Sequence, residues 1–275
     1  MKVTSKTRGI FARFWPTRFG PIGFAALALL AALSGGAADA TNLPAAADQE
    51  TVQQGRAVYL KYCMPCHGPS GDGRGEMGLT VRPRPRDFGA AVFKYRSTPS
   101  GFLPTDDDLA RTIHLGLTGT AMPTFQTLRE SEVRTVIAYV KSFSSRWRKV
   151  ENYAASLPLP AQPNWFDDAD EFAHHAAKGK ALFITACAPC HGSKGDGRGD
   201  PAREMKDSFD EPVTPHDLSQ PLRCGPMPKD IYRTLVTGLD GTPMPTFLGA
   251  YSEVELWEII AHNVVLRREE QRRRK

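Results

Sequence analysis

Several features common in enzymes and membrane proteins are missing from this 275-residue sequence. After the first forty residues there is no long apolar run, so we expect no further membrane-spanning segment. No stretch alternates apolar and polar residues as a half-buried β-strand does. No Ser/His/Asp arrangement and no pair of carboxylates indicates hydrolytic catalysis. Cysteine is also sparse, with five residues, and four of them fall into one repeated motif.

Residues 1–40 have the pattern of a signal peptide. Basic residues come first, an apolar run at 22–33 follows, and Ala-Asp-Ala at 38–40 suits a cleavage site. The apolar run is shorter than the roughly 20 residues that a membrane span needs. We therefore expect export to the periplasm and a soluble protein after cleavage. Contact with a membrane would follow only if the segment were retained as an anchor.

The charge of the chain gives no reason to expect nucleic-acid binding. The sequence has 35 basic and 30 acidic residues, and the first forty positions hold five of the basic and one of the acidic ones. Removing the leader therefore leaves 30 basic against 29 acidic residues, a net charge of +1. Part of the remaining basic charge lies in the tail at 267–275, which we expect to be a solvated, frayed terminus.

An internal repeat decides the organisation of the chain. Residues 55–75 align without gaps to 179–199 at an offset of 124, and 111–125 align to 233–247 at an offset of 122. A proline-rich stretch separates the two copies, as a linker does. The expected organisation is a signal peptide at 1–40, a first domain at 50–145, a linker at 146–171, a second domain at 172–266 and a basic tail at 267–275.

Helical periodicity predicts an all-α fold made of two tandem small domains joined by the proline-rich linker. In each copy, apolar residues at helical spacing precede the cysteines, form a middle helix ending near Gly116 or Gly238, and form a last helix. The connections are rich in glycine and proline. A helical domain this small struggles to build its own core. We therefore expect something large and apolar to fill it.

The cysteines occur as CMPCH at 63–67 and as CAPCH at 187–191. A structural zinc site commonly needs two such pairs close together, whereas these are 124 residues apart. A redox dithiol needs only C-x-x-C and is usually found in a strand–helix setting. Neither alternative explains the histidine after each second cysteine. Covalent haem attachment does, because the thiols form thioethers and the imidazole reaches the iron.

At these residues the chain resembles class I c-type cytochromes, and specifically tandem di-haem ones, over nearly the whole sequence after the leader. The resemblance implies two haem c groups and a methionine as the second axial ligand in each domain. TAMPTF and TPMPTF occupy matching frames in the repeat; Met227 is a competitor in the second domain. The implied haem-binding residues are Cys63, Cys66, His67, Met122, Cys187, Cys190, His191 and Met244. The implied iron ligands among them are His67, Met122, His191 and Met244.

The resemblance also implies supporting residues around each haem. The distal nitrogen of each ligand histidine should donate to a carbonyl, which the family supplies from a proline-rich stretch, here 82–88 and 211–218. Which proline supplies it stays open. Arginines are the usual partners of haem propionates. Arg96, Arg111 and Arg233 are the candidates for that role.

The function implied is single-electron transfer between redox protein partners, without a small-molecule substrate. The protein would be a free shuttle or an electron-transfer subunit of an oxidoreductase, and not itself an enzyme. Cys224 leaves an alternative open. Were it to ligate the second haem as a thiolate, the chain would resemble His/Cys-ligated thiosulfate dehydrogenases. A di-haem peroxidase with one open iron is the other enzymatic alternative.

Overall fold

The computed structural model describes residues 47–275, so the predicted signal peptide and cleavage site lie outside the described residues. Residues 47–275 form α-helices and 3-10 helices and contain no β-sheet. Two isolated β-bridges also occur in this part of the chain. The prediction of an all-α fold is confirmed. The α-helices of this part are α1 (Gln49–Tyr62), α2 (Met64–His67), α3 (Asp106–Leu115), α4 (Glu130–Ser142), α5 (Ala169–Ala186), α6 (Ala188–His191), α7 (Pro228–Thr237) and α8 (Glu253–Arg273). Short 3-10 helices lie at Met77–Leu79, Ser145–Arg148, Val150–Asn152, Asn164–Phe166 and Asp200–Arg203.

The helices repeat in the same order in the two halves, and the first helix of each half packs across the last. These crossings, α1 with α4 and α5 with α8, are the two most extensive helix contacts of the described chain. Both have glycine at the closest point. A Cβ on Gly55 would lie 1.9 Å from the Thr135 carbonyl oxygen, and one on Gly179 would lie 1.8 Å from that of Glu258. Only glycine lets these backbones come so close.

The middle helices α3 and α7 end where the sequence predicts, at Gly116 and Gly238, which have φ values of 62° and 67°. After α3 the chain turns back on itself, and the Leu117 amide donates to the Met122 carbonyl at 3.1 Å. The same bond joins Leu239 to Met244 at 3.2 Å. Each predicted methionine therefore lies in a loop held directly against the end of a middle helix.

The stretch between the halves is packed rather than free. The Leu157 amide donates to the Ser97 carbonyl of the first half at 2.8 Å, while the Leu157 and Leu159 side chains pack on the core of the second half. Phe166 and Trp165 pack on the same half. α5 begins at Ala169, so the last residues of the stretch predicted as linker are helical.

The structure of the basic tail differs from the prediction made from the sequence. We expected a frayed terminus at 267–275, but α8 continues to Arg273. The last turns are stabilised by Glu270, which pairs with Arg273 at 3.0 Å and with Arg274 at 2.9 Å. Arg274 also donates to Gln220 at 2.8 Å, which ties the helix end to the loop that precedes α7.

Over residues 47–275, no helix combines the length and the apolar character that crossing a bilayer requires.

Candidate haem sites

Each C-x-x-C-H motif forms a single helical turn. α1 ends at Tyr62, and Cys63 both caps it and starts α2, with Pro65 in the first turn of α2. The His67 amide donates to the Cys63 carbonyl at 2.9 Å. The motif at 187–191 repeats this arrangement, with the His191 amide donating to Cys187 at 2.8 Å. A turn of helix places both thiols and the imidazole on the same side of the backbone.

The glycine-rich loops at 71–75 and 195–199 fold closely against the motifs. A Cβ on Gly75 would lie 2.3 Å from the Pro65 carbonyl oxygen, and one on Gly199 would lie 2.0 Å from that of Pro189. These positions exclude any side chain, because the obstructing atoms belong to the backbone. The loops thereby hold the motif turns in place.

The two motif histidines are oriented by backbone carbonyls. Nδ1 of His67 donates to the Arg86 carbonyl at 3.0 Å, and Nδ1 of His191 donates to the His216 carbonyl at 3.1 Å. A carbonyl oxygen can only accept, so Nδ1 carries the proton and Nε2 keeps its lone pair for a metal. Burial lowers the pKa of both imidazoles, which favours this neutral form. The carbonyls lie in the two proline-rich stretches that the resemblance implied, but they belong to Arg86 and His216 and not to a proline.

Each motif opens onto a cavity that also contains the predicted methionine. His67 and Met122 line the cavity of the first half, and His191 and Met244 line that of the second. The cysteines Cys63, Cys66, Cys187 and Cys190 line the corresponding walls. The two cavities are equal in volume, about 190 Å³ each, and their other walls are mainly apolar. The structure thus brings together every residue predicted to bind haem, while the iron ligands themselves stay a prediction.

The first cysteine of each motif is held as a neutral thiol. Burial raises the pKa of Cys63 to about 11 and that of Cys187 to about 12. At neutral pH these residues therefore carry S–H groups.

Two other methionines of the second half differ from Met244 in position. Met227 is 59% exposed at the start of α7 and does not line the cavity. Met205 does line it, and sequence reasoning missed this residue. The second cavity is therefore lined by a second methionine in addition to Met244.

Cys224 also lines the second cavity. Burial raises the pKa of its thiol, so the described surroundings favour the neutral thiol over the thiolate. Its carbonyl accepts a hydrogen bond from Arg111 at 3.1 Å. The residue therefore lies between the second cavity and the contact of the two halves.

The arginines expected to bind propionates have other partners. Arg96 pairs with Asp240 at 2.7 Å, and Arg111 and Arg233 both pair with Asp230, at 2.6 and 3.1 Å. None of the three arginines lines either cavity. That prediction was wrong, because Arg96 and Arg111 join the two halves and Arg233 pairs within its own helix α7.

Other cations line the cavities and were missed by sequence reasoning. Arg86 lines the first cavity, and Lys94 and Arg223 line both. Within the described residues, Nε of Arg223 is buried without a hydrogen-bond partner. A buried guanidinium nitrogen lacking an acceptor fits a site that receives carboxylates, such as haem propionates. A weak signal existed in the sequence, since Lys94 and Arg223 directly follow the hydrophobic residues Phe93 and Leu222.

Comparison with known families supports the cavities as haem sites. Residues 50–140 and 174–262 each match the family described as cytochrome c oxidase, cbb3-type, subunit III. The chain belongs to this family. The prediction of tandem c-type cytochrome domains is thereby confirmed, and membership implies covalently bound haem c and electron transfer. No curated protein matches this cytochrome.

A solved structure resembles the cytochrome over most of its length. It is a chain of the Kuenenia stuttgartiensis reducing HAO-like protein complex, with a TM-score of 0.73 and 33% sequence identity. The likeness covers 82% of the present chain and 99% of the other.

Proposed function

We propose that this cytochrome binds two haem c groups, one in each half, and passes single electrons between redox proteins in the periplasm. The two equivalent cavities support the number, because each holds one C-x-x-C-H motif. The signal-like leader supports the location.

One observation carries the assignment as a carrier rather than an enzyme. In each half, a histidine with Nε2 free for a metal and a methionine line the same cavity. Haem supplies a one-electron Fe(II)/Fe(III) couple, and imidazole with thioether would occupy both axial positions. No coordination position would then be left for a substrate or for oxygen. The neutral thioether also favours Fe(II) and raises the reduction potential.

The role of electron-transfer subunit is favoured over that of a free shuttle. The similar Kuenenia stuttgartiensis chain is part of a protein complex, and the present cytochrome spans nearly all of that chain. We therefore propose that the partners are redox proteins, one of which forms a stable assembly with this chain. Purification of the untagged native protein at low salt tests this proposal. Co-elution with an oxidoreductase that reduces or oxidises the haem of the cytochrome supports the subunit role. Elution of the cytochrome alone supports the free shuttle.

A di-haem enzyme is the competing function, and Cys224 is the observation in its favour. This residue lines the second cavity together with Met244. Thiolate ligation by Cys224 would require displacement of Met244 from the iron and loss of a proton that burial retains on sulfur. The methionine loop is held by the Leu239–Met244 hydrogen bond at 3.2 Å, which opposes the displacement.

Haem content and ligand spectra of the purified oxidised protein separate these functions. We expect two haems per chain and, in the near-infrared and electron paramagnetic resonance spectra, methionine ligation at both. One haem with thiolate or high-spin character would instead identify Cys224 or an open iron as the centre. Assays with sulfur compounds and peroxide would then be the next step.

A further inference from the structure

Each half contributes one basic side chain to the cavity of the other half. Lys94 belongs to the first half, yet it lines the cavity of the second half as well as its own. Arg223 belongs to the second half and lines the cavity of the first in the same way. Tyr95 lines both cavities beside them. The two candidate haem sites therefore share a wall, and its polar groups come from both halves.

Neither of these two cations has a direct acidic partner in the described chain. Two other basic residues between the halves have acidic partners: Arg84 pairs with Glu211 at 3.2 Å and Arg111 with Asp230 at 2.6 Å. No carboxylate of residues 47–275 forms an ion pair with Lys94 or Arg223, and Nε of Arg223 is buried without an acceptor.

Burial makes an unpaired cation unfavourable at this wall. Burial lowers the pKa of Lys94 to about 8. The positive charges of Arg86 and Arg223 also lower this pKa, whereas the negative charge of Asp207 raises it. An isolated buried charge is costly unless it is paired and hydrogen-bonded. Such a wall is therefore suited to an anion that comes from outside the polypeptide.

Haem c provides anions of suitable chemistry in both cavities. Its vinyl groups are consumed by the cysteines, and its two propionates remain as carboxylates. Guanidinium and ammonium groups bind carboxylates through charge-assisted hydrogen bonds. A free phosphate-like anion in the neighbouring cavity between the halves, of about 610 Å³, would be the other source of negative charge.

We propose that Lys94 and Arg223 form a reciprocal clamp that binds the propionates of both haems and couples the reduction potentials of the two halves. This proposal rests on the two-haem function proposed above. Reduction of either haem lowers its charge by one, so a shared cation stabilises the reduced state of both. A haem bound in each half would supply a one-electron Fe(II)/Fe(III) couple, so electron transfer between the halves would require no change of bond or proton.

The test is a potentiometric titration of the full-length holoprotein, followed by visible absorption and fitted with two one-electron components. Lys94→Gln and Arg223→Gln each remove one shared charge and keep a polar side chain. Lys94→Arg retains the charge and should restore the parent potentials. Lys149→Gln is the matched control, because Lys149 is exposed and lines neither cavity.

We expect each neutralising substitution to lower both midpoint potentials, with haem content and ligand spectra unchanged. A shift of one component alone, an equal shift in the Lys149 control, or no shift would overturn the clamp. Phosphate is added to the parent protein and to the variants as a further test. If it changes the potentials of the parent but not those of the variants, the wall binds a free anion, and the clamp is overturned as well. If Lys94→Gln does not mature, Arg223→Gln makes the same test from the other half.

Failure of the clamp can be distinguished from failure of the two-haem function. The proposed function is judged on the parent protein, by two haems per chain with methionine spectra. The clamp is judged only by how the potentials of the variants differ from those of that parent. Two haems whose potentials are insensitive to both substitutions would leave the carrier function intact and remove the clamp.

Discussion

Arg96 of the first half and Asp240 of the second form an ion pair at 2.7 Å, and the Arg96 side chain is completely buried. Asp240 also accepts hydrogen bonds from the Ser100 hydroxyl at 2.7 Å and from the Gly101 amide at 2.9 Å. Arg96 donates further to the Thr237 carbonyl at 2.7 Å. This network joins residues more than 130 positions apart and holds the halves together.

Replacement of Asp240 by alanine should strongly destabilise the protein. Removing one partner of a buried pair leaves the other charge uncompensated, which costs about 3–5 kcal/mol. The free energy of unfolding of the holoprotein, measured by denaturation in guanidinium chloride, checks this. Lys206→Gln is the control, because it breaks an exposed pair with Asp210 and should have little effect. Equal effects of the two substitutions would contradict a structural role for the buried pair.

The glycines at the helix crossings should not tolerate a methyl group. In Gly55→Ala and Gly179→Ala the added carbon would meet backbone oxygens at 1.9 and 1.8 Å, so the helices must separate. Overpacking of this kind costs about 1–3 kcal/mol of unfolding free energy. In Gly89→Ala the nearest atom is the tip of the Asp87 side chain at 3.1 Å, so this control should stay close to the parent. Thermal unfolding of the three variants under identical conditions tests the difference.

Met244→Ala should abolish the methionine-to-iron absorption of the second haem and leave that of the first unchanged. The thioether would no longer be present in the cavity that His191 lines. Near-infrared spectra of the oxidised protein measure this directly. Met227→Ala serves as the control, since that side chain is 59% exposed and outside the cavity. Cys224→Ala should also leave the spectrum unchanged; a loss in that variant, with none in Met244→Ala, would reverse the ligand assignment.

Stability should fall as the pH drops below about 6.5, in part because of His262. Burial lowers the pKa of this imidazole from its ordinary value of 6.5, and the nearby Lys180 lowers it further. Above that pH the residue is neutral in both states. Below it the unfolded chain binds a proton that the folded one does not, so the free energy of unfolding decreases.

His262→Tyr should make this loss of stability between about pH 7 and 5 smaller. Tyrosine is the residue at the corresponding position of the first half, Tyr139. The ring centroids of Tyr139 and Tyr59 are 5.1 Å apart, and those of His262 and Phe183 are also 5.1 Å apart. Denaturation curves measured across this pH range test the change in slope. An unchanged slope in His262→Tyr would show that other groups cause the acid sensitivity.

Local patterns in the sequence were sufficient for much of the fold and of the candidate sites. The helices preceding each motif and the glycine ends of α3 and α7 follow from short segments, whereas the carbonyls for His67 and His191 were expected from the family resemblance. Such features depend on contacts between residues close in the chain. The basic tail was misjudged because its helical state depends on ion pairs of Glu270 and on a contact with Gln220.

By itself, the sequence determined that the chain is a tandem of two helical c-type cytochrome units, because repeated motifs and helical periodicity are local properties. Only the tertiary structure decided which cations face the cavities. Arg96 and Arg111 were reasonable candidates for propionates until each was found paired with a carboxylate of the other half. Lys94 and Arg223 come together through the packing of one half against the other. The energy of a charge depends on its burial and its partners, and both are set by residues distant in sequence.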